Sequence, residues 1–244
     1  MPRRRPAEAV AEPALRFDLD RKRLPTQSRG HETVERILDA AAQLLGEVGI
    51  ERLSTNLVCE RAGLTPPALY RYFPNKYALL AELGLRLMMS QNDLLEAWAT
   101  PATMKLPAAR FEAAVCQLFL DTLRVTRQAT AGEWITRALR AVPALAPVRT
   151  GSHDHVTALI VAAFAVAYPS LPAARVTLVA RLAVEVMYSA HELLFDAPGL
   201  DAAEVGRVMS RMVTSQVVDL RRGVGTIAPW PGRTTSAKRP PRSG

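Results

Sequence analysis

Three prolines stand within nine residues of the stretch AGLTPPALYRYFPNKYALL, residues 62–80. No continuous helix can run through it, because proline lacks the backbone N–H and clashes with the preceding turn. Pro66 and Pro67 can open a helix after Thr65, since the first helical positions have no intrahelical donor to lose. Pro74 must close it, because the residue before a proline avoids the helical region. Gly63 supplies the positive φ of a tight turn. The spacing predicts a short helix over 66–72 and a new start capped by Asn75.

The flanking segments are helical as well. Val34, Ile37, Leu38, Ala41, Leu44, Leu45 and Val48 recur at steps of three and four and form one apolar face. That predicts a helix starting after Ser28 as N-cap and stopping at Gly49. In ERLSTNLVCERAGLT, Ser54 or Thr55 caps a short helix ending at Arg61 or Ala62. After Asn75, Tyr77, Leu79, Leu80, Leu83, Leu87, Met88 and Leu95 lead toward Trp98, and 100–110 reads as a loop with two prolines. Further helices are expected at about 107–128, 133–142, 152–167, 172–195 and 202–222, with breaks at PALAPVRTG and DAPGLD. The expectation is an all-α chain of about nine helices, without strands.

The chain has 244 residues, 49% of them hydrophobic, enough for one or two domains with real cores. No apolar run approaches the roughly 18–20 residues of a membrane span; the longest, ALIVAAFAVAY, suits a buried helix. The N-terminus is basic but has no long apolar core, so no secretory signal is expected. The two cysteines, Cys59 and Cys116, are far apart among apolar neighbours, which fits free thiols in a reducing cytoplasm rather than a disulfide framework.

The net charge of +8 sits at the ends. Residues 1–30 carry +4, residues 221–244 carry +6, and the body between them carries −2. Basic arms on a near-neutral globule suit a polyanionic partner. Residues 1–27 and 223–244 read as disordered basic segments, rich in Pro and Arg.

Two short helices around a glycine, behind a longer supporting helix, make a helix-turn-helix, whose second helix enters the DNA major groove. Val58, Cys59, Ala62, Leu64 and Leu69 would pack the pair together. Thr65, Pro66, Ala68, Arg71 and Tyr72 would face outward. The segment VERILDAAAQLLGEVGIERLSTNLVCERAGLTPPALYRYFPNKYALL resembles the DNA-binding domain of the tetracycline-repressor (TetR) family over about 50 residues, 32–82. Its ILDAA run, the AGLT turn and ALYRYFPNKYALL carry the resemblance. In the last of these a small residue, Leu, Tyr, any residue, an aromatic, Phe, two residues and Lys follow in order.

The resemblance implies a DNA-binding domain over 28–77 and a ligand-binding and dimerisation domain over 78–222. It implies phosphate contact from Ser54 or Thr55, and contact from Thr65 and Pro66 at the start of the recognition helix. Tyr70 and Tyr72 would reach the DNA backbone, and Lys76 would pair with a phosphate. Arg71 is the candidate for direct readout, since a guanidinium bonds guanine in two places. Many relatives have Ser-Lys or Ser-x-Gly where this chain has Thr65, Pro66 and Pro67, so donors are missing at that corner. Residues 31–76 carry a net −1, so attraction to phosphate must come from placement, from helix N-termini, and from Arg21, Lys22, Arg23 and Arg29 of the arm.

The helices at 172–195 and 202–222 have wide apolar faces, suited to pairing with a second copy as a four-helix bundle. A small hydrophobic or amphipathic effector would release the DNA. Its candidate lining is Trp98, Phe111, Phe119, Leu123, Trp134, Phe164, Met187, Tyr188 and His191. The sequence thus points to a ligand-responsive regulator, most simply a repressor, that binds a palindromic operator on double-stranded DNA as a homodimer.

No enzyme is expected, and no cofactor, metal site or catalytic residue. The cluster His153, Asp154, His155 reads as a capped, exposed helix start, because its histidines point apart and no ligand partner recurs at metal spacing. There is no phosphate-cradling glycine loop and no Gly-x-Ser-x-Gly elbow. The competing reading is a helical interaction module whose basic tails bind membranes or acidic partners.

Overall fold

The structure, a computed structural model, describes residues 28–223. The expectations about the basic arm and tail lie outside them. Ten α-helices and one 3-10 turn follow one another, and no strand occurs among the described residues. They are α1 (Ser28–Arg52), α2 (Thr55–Ala62), α3 (Pro66–Tyr70), α4 (Lys76–Trp98), α5 (Pro101–Met104), α6 (Ala108–Gln128), α7 (Gly132–Ala141), α8 (Ala146–Ala167), α9 (Ala173–Asp196) and α10 (Ala202–Arg221).

The apolar face read from α1 is the buried one: Val34, Ile37, Leu38, Ala41, Leu44 and Leu45 are all in the core. Gly49 does break the helical path, with φ 75° and ψ 176°. The chain resumes a last turn to Arg52, so the stop is a kink within α1. Ser28 is already helical, so it is not the N-cap. Ser54 caps α2, its Oγ accepting from the Leu57 N–H at 3.3 Å. Gly63 then takes the left-handed conformation, φ 63°.

Two loops are more ordered than their prolines suggested. Within 100–110, Thr100 caps a short helix that begins at Pro101. After α7, Pro143–Leu145 forms a 3-10 turn that runs directly into α8, which starts at Ala146 with Pro147 in its first turn. All three prolines occupy first-turn positions, where they open helical turns. The expected exposed helix start at His153 is therefore corrected. His153 lies well inside α8, is 1% exposed, and its Nδ1 sits 3.1 Å from the Glu185 carboxylate. His155 is the exposed one, 2.9 Å from Glu96.

Helix α4 joins the two halves. Its start packs on α1, and its remainder packs on α6, α7 and α8. Helix α7 reaches back to α1, and a Cβ on Gly49 would lie 3.6 Å from the Trp134 ring. Helices α9 and α10 lie side by side on α8 and α6. No helix among the described residues is long and apolar enough to cross a membrane. Cys59 is buried and Cys116 half-buried, and both are free thiols.

Candidate nucleic-acid interface

The α2–turn–α3 unit rests on α1 through Val58, Cys59, Ala62 and Leu69, all buried. Polar side chains fix its pose. Arg36 of α1 donates to the Ala62 carbonyl at 2.5 Å and so closes the end of α2. Arg61 grips Glu47 with both terminal nitrogens, at 2.9 and 2.7 Å. Sequence reasoning left these two arginines without a role, though Arg36 sits one step off the apolar face, where an inward reach is geometrically open.

Thr65 adopts the extended N-cap backbone of α3 but makes no side-chain cap bond. Pro66 and Pro67 occupy the first helical positions, and all three residues are exposed. Helix α3 is shorter than expected and ends at Tyr70, with Arg71 as C-cap. Tyr70 is 41% exposed, and its hydroxyl lies 2.9 Å from that of Thr55. This bond ties the start of α2 to the end of α3, a link invisible in sequence because the partners are fifteen residues apart.

Two expected DNA contacts sit differently. Tyr72 is only 8% exposed and belongs to the core beside Phe73. Lys76 points back to the end of α1, where its ammonium donates to the carbonyls of Ile50 (3.1 Å), Glu51 (3.4 Å) and Leu53 (3.2 Å). An ammonium has three protons, and three carbonyls take them. Lys76 therefore holds the α1–α2 connection, satisfying carbonyls that the Gly49 kink leaves without helical donors.

The cations of residues 31–76 are thus mostly committed. Arg36 and Lys76 serve carbonyls, Arg61 serves Glu47, and Arg52 lies 3.3 Å from the Val48 carbonyl. Arg71 is exposed and meets no hydrogen-bond acceptor among the described residues; its guanidinium lies 5.9 Å from the Tyr72 ring centre.

Among helices α4–α10, seven of the nine expected lining residues are buried: Phe111, Phe119, Leu123, Phe164, Met187, Tyr188 and His191. Several are already engaged. Tyr188 donates to Gln91 at 3.1 Å and stacks on His153 at 4.3 Å. His191 Nε2 lies 3.0 Å from the Phe119 carbonyl, so that nitrogen carries the proton, and its ring stacks on Phe119 at 4.5 Å. Burial pushes the His191 imidazole down to about 4 and the Tyr188 phenol up to about 12. Trp134 lies elsewhere, at the α1–α7 joint, with Arg137 over its ring at 5.4 Å. Among the described residues, Trp98 and Met187 of the nine border a recess of about 40 Å³.

The outer sides of α9 and α10 expose Leu178, Leu182, Leu193, Val208 and Met212. No group of His, Cys, Asp or Glu among the described residues could hold a metal ion.

A helix-turn-helix held on a supporting helix, with a larger helical layer behind it, defines an all-α fold of the helix-turn-helix class. Residues 37–83 match the sequence family described as bacterial regulatory proteins, tetR family. The class D tetracycline repressor of Escherichia coli is 37% identical over 59 residues, which cover 24% of this chain and 27% of that protein. The likeness in sequence thus spans about a quarter of that repressor's length. The likeness in fold spans far more. A tetR-family transcriptional regulator from Streptomyces coelicolor superposes with a TM-score of 0.57 at 18% identity, over 79% of this chain and 88% of that one. Salmonella enterica GusR does so at 0.55 and 23% identity, over 78% and 96%.

Proposed function

We propose that the protein is a cytoplasmic transcriptional regulator that binds double-stranded DNA through α2 and α3. It would act as a homodimer, on a palindromic operator, and most simply as a repressor relieved by a small effector. Arg71 is the observation that carries the reading: an exposed guanidinium without an acceptor among the described residues, at the end of a short helix, while Arg36, Arg52, Arg61 and Lys76 are engaged. A guanidinium can bond guanine in two places. The free amides at the start of α2 and the Tyr70 hydroxyl suit phosphate oxygens. Pro66 and Pro67 offer no donors, so that corner would contribute apolar contact, as to thymine methyls.

The domain boundary we propose falls at about residue 78, within α4, with residues 78–222 as the dimerisation and effector half. Leu178, Leu182, Val208 and Met212 would be covered by the same helices of a second copy, which would set two recognition helices on one face of DNA. The test is selection of genomic fragments by the purified protein, then mobility shift with the DNA flanking its own gene. A shifted fragment with an inverted repeat supports the reading. No fragment retained above background DNA contradicts it.

A further inference from the structure

Helix α1 is pinned to the body at two places. Near its start, Glu35 takes both terminal nitrogens of Arg86 of α4, at 2.6 and 2.8 Å. Near its end, Gly46 and Gly49 press on α7, a Cβ on either lying 3.6 Å from Ala131 or from the Trp134 ring. Between these contacts opens a groove of about 390 Å³, walled by α1, α4, α7 and the end of α6. That volume falls within the range of small-molecule sites, about 300–1,000 Å³. Leu38, Leu83, Leu87, Val125 and Ile135 give it an apolar lining. Its charged groups are Asp39 and Arg86. Arg86 is already satisfied, since its Nε also donates to Glu82 at 3.1 Å. Asp39 is exposed and meets no cation and no donor among the described residues. Three carboxylates thus stand against one guanidinium, and the one left over is the one inside the groove. On the opposite wall, Gln128 and Thr130 add neutral acceptors.

We propose that this groove is a binding site for a small organic cation, a protonated amine on a compact apolar body, with its ammonium on Asp39. The proposal goes beyond the regulator reading and does not rest on it. An ammonium has three protons. The Asp39 carboxylate takes one, and the Gln128 and Thr130 oxygens suit the others. An anion would meet the charge of Asp39, while Arg86, held by Glu35 and Glu82, offers it no free fork. A neutral molecule of the same shape would gain the apolar contact alone. Because both ends of the groove are fixed by packing and by an ion pair, it stands formed before a ligand arrives, and little ordering opposes binding. The bound cation would touch the helix that supports α2 and α3 and the body behind it at once, and so brace α1 on α4 and the α6–α7 turn.

The test uses the full-length protein with ¹³C-labelled isoleucine methyls and three probes of one shape: cyclohexylmethylamine, cyclohexylmethanol and cyclohexanecarboxylate. Ile135 reports on the groove and Ile160 on the core recess beside Trp98. Their signals are assigned by loss in Ile135→Val and Ile160→Val. The amine should bind at least about fivefold tighter than the alcohol and move the Ile135 signal, leaving that of Ile160 in place. Asp39→Asn should erase the preference, and Asp39→Lys should reverse it in favour of the carboxylate. Glu51→Gln removes an exposed carboxylate of the same helix outside the groove and should change nothing. The proposal is overturned if the amine does not bind, if it moves Ile160 instead of Ile135, or if Asp39→Asn keeps the preference. Equal losses in Asp39→Asn and Glu51→Gln also overturn it, because they report a general attraction of cations to α1. Operator selection is run on the same protein. DNA retained without amine binding sinks this inference alone, and amine binding without retained DNA sinks the regulator reading alone.

Discussion

At the residue scale, Lys76 shows how one side chain can be assigned by geometry against its motif. In sequence it is a cation at the start of α4, fit for a phosphate. In the fold its three protons go to Ile50, Glu51 and Leu53. Lys76→Met should lower stability by about 1–3 kcal/mol, the usual range for bonds to a charged donor, read by thermal or urea unfolding. It should leave the salt dependence of DNA binding unchanged, whereas loss of a phosphate contact would reduce the slope by about one.

His191 carries a second residue-scale consequence. Its folded-state value near 4 lies below the ordinary histidine value of about 6.5. Between these two values the unfolded chain takes up a proton that the folded chain refuses. Stability is therefore fully present above pH 6.5 and falls as pH drops toward 4, by about 3 kcal/mol from this group. His191→Gln keeps a donor for the Phe119 carbonyl and removes the titration. Its melting temperature should vary less between pH 6.5 and 4.5 than the wild type's, with His153, pushed the same way by burial, sustaining a remaining slope.

At the element scale, what local rules govern was legible. Pro66, Pro67, Gly63 and Asn75 act through their own backbones or one neighbouring amide, and each does what its chemistry dictates. The apolar period of α1 marked its buried face for the same reason. Helix starts failed where a proline served either as breaker or as opener, as at Pro101 and Pro147, because neighbouring helices decide between these. The roles of Lys76, Tyr72 and Trp134 were not legible, since each depends on an element that sequence spacing does not place. Gly132 is a similar case. A Cβ there would lie 1.9 Å from the Thr126 carbonyl oxygen, which is backbone and cannot step aside. Gly132→Ala should cost about 1–3 kcal/mol or more, as overpacking does, and loosen the α6–α7 turn that carries Trp134 to Gly49. Chemical denaturation measures the first effect, and amide exchange across 126–135 the second.

At the scale of the whole molecule, charge and shape divide the work. The described body is nearly neutral, and its helix-turn-helix half keeps Arg36, Arg52, Arg61 and Lys76 in internal bonds, with Arg71 left outward. Leu178, Leu182, Leu193, Val208 and Met212 lie exposed on α9 and α10, helices that pack on α6 and α8. One end would read DNA while the other would fix the distance between two readers, with α4 running through both halves. Met212→Glu would bury a charge in the proposed dimer face. Sedimentation should then show a monomer that keeps its helical signal and binds the selected operator at least about tenfold more weakly, as expected when one reader replaces two.

The most direct measurement is operator affinity for wild type and Arg71→Ala, on a fragment the wild type selects, at one fixed salt concentration. The account predicts a loss of about 1–3 kcal/mol, or roughly ten- to a hundredfold, with an unchanged melting temperature and weaker discrimination against a substituted operator. Equal affinity and equal discrimination in the two proteins would contradict it.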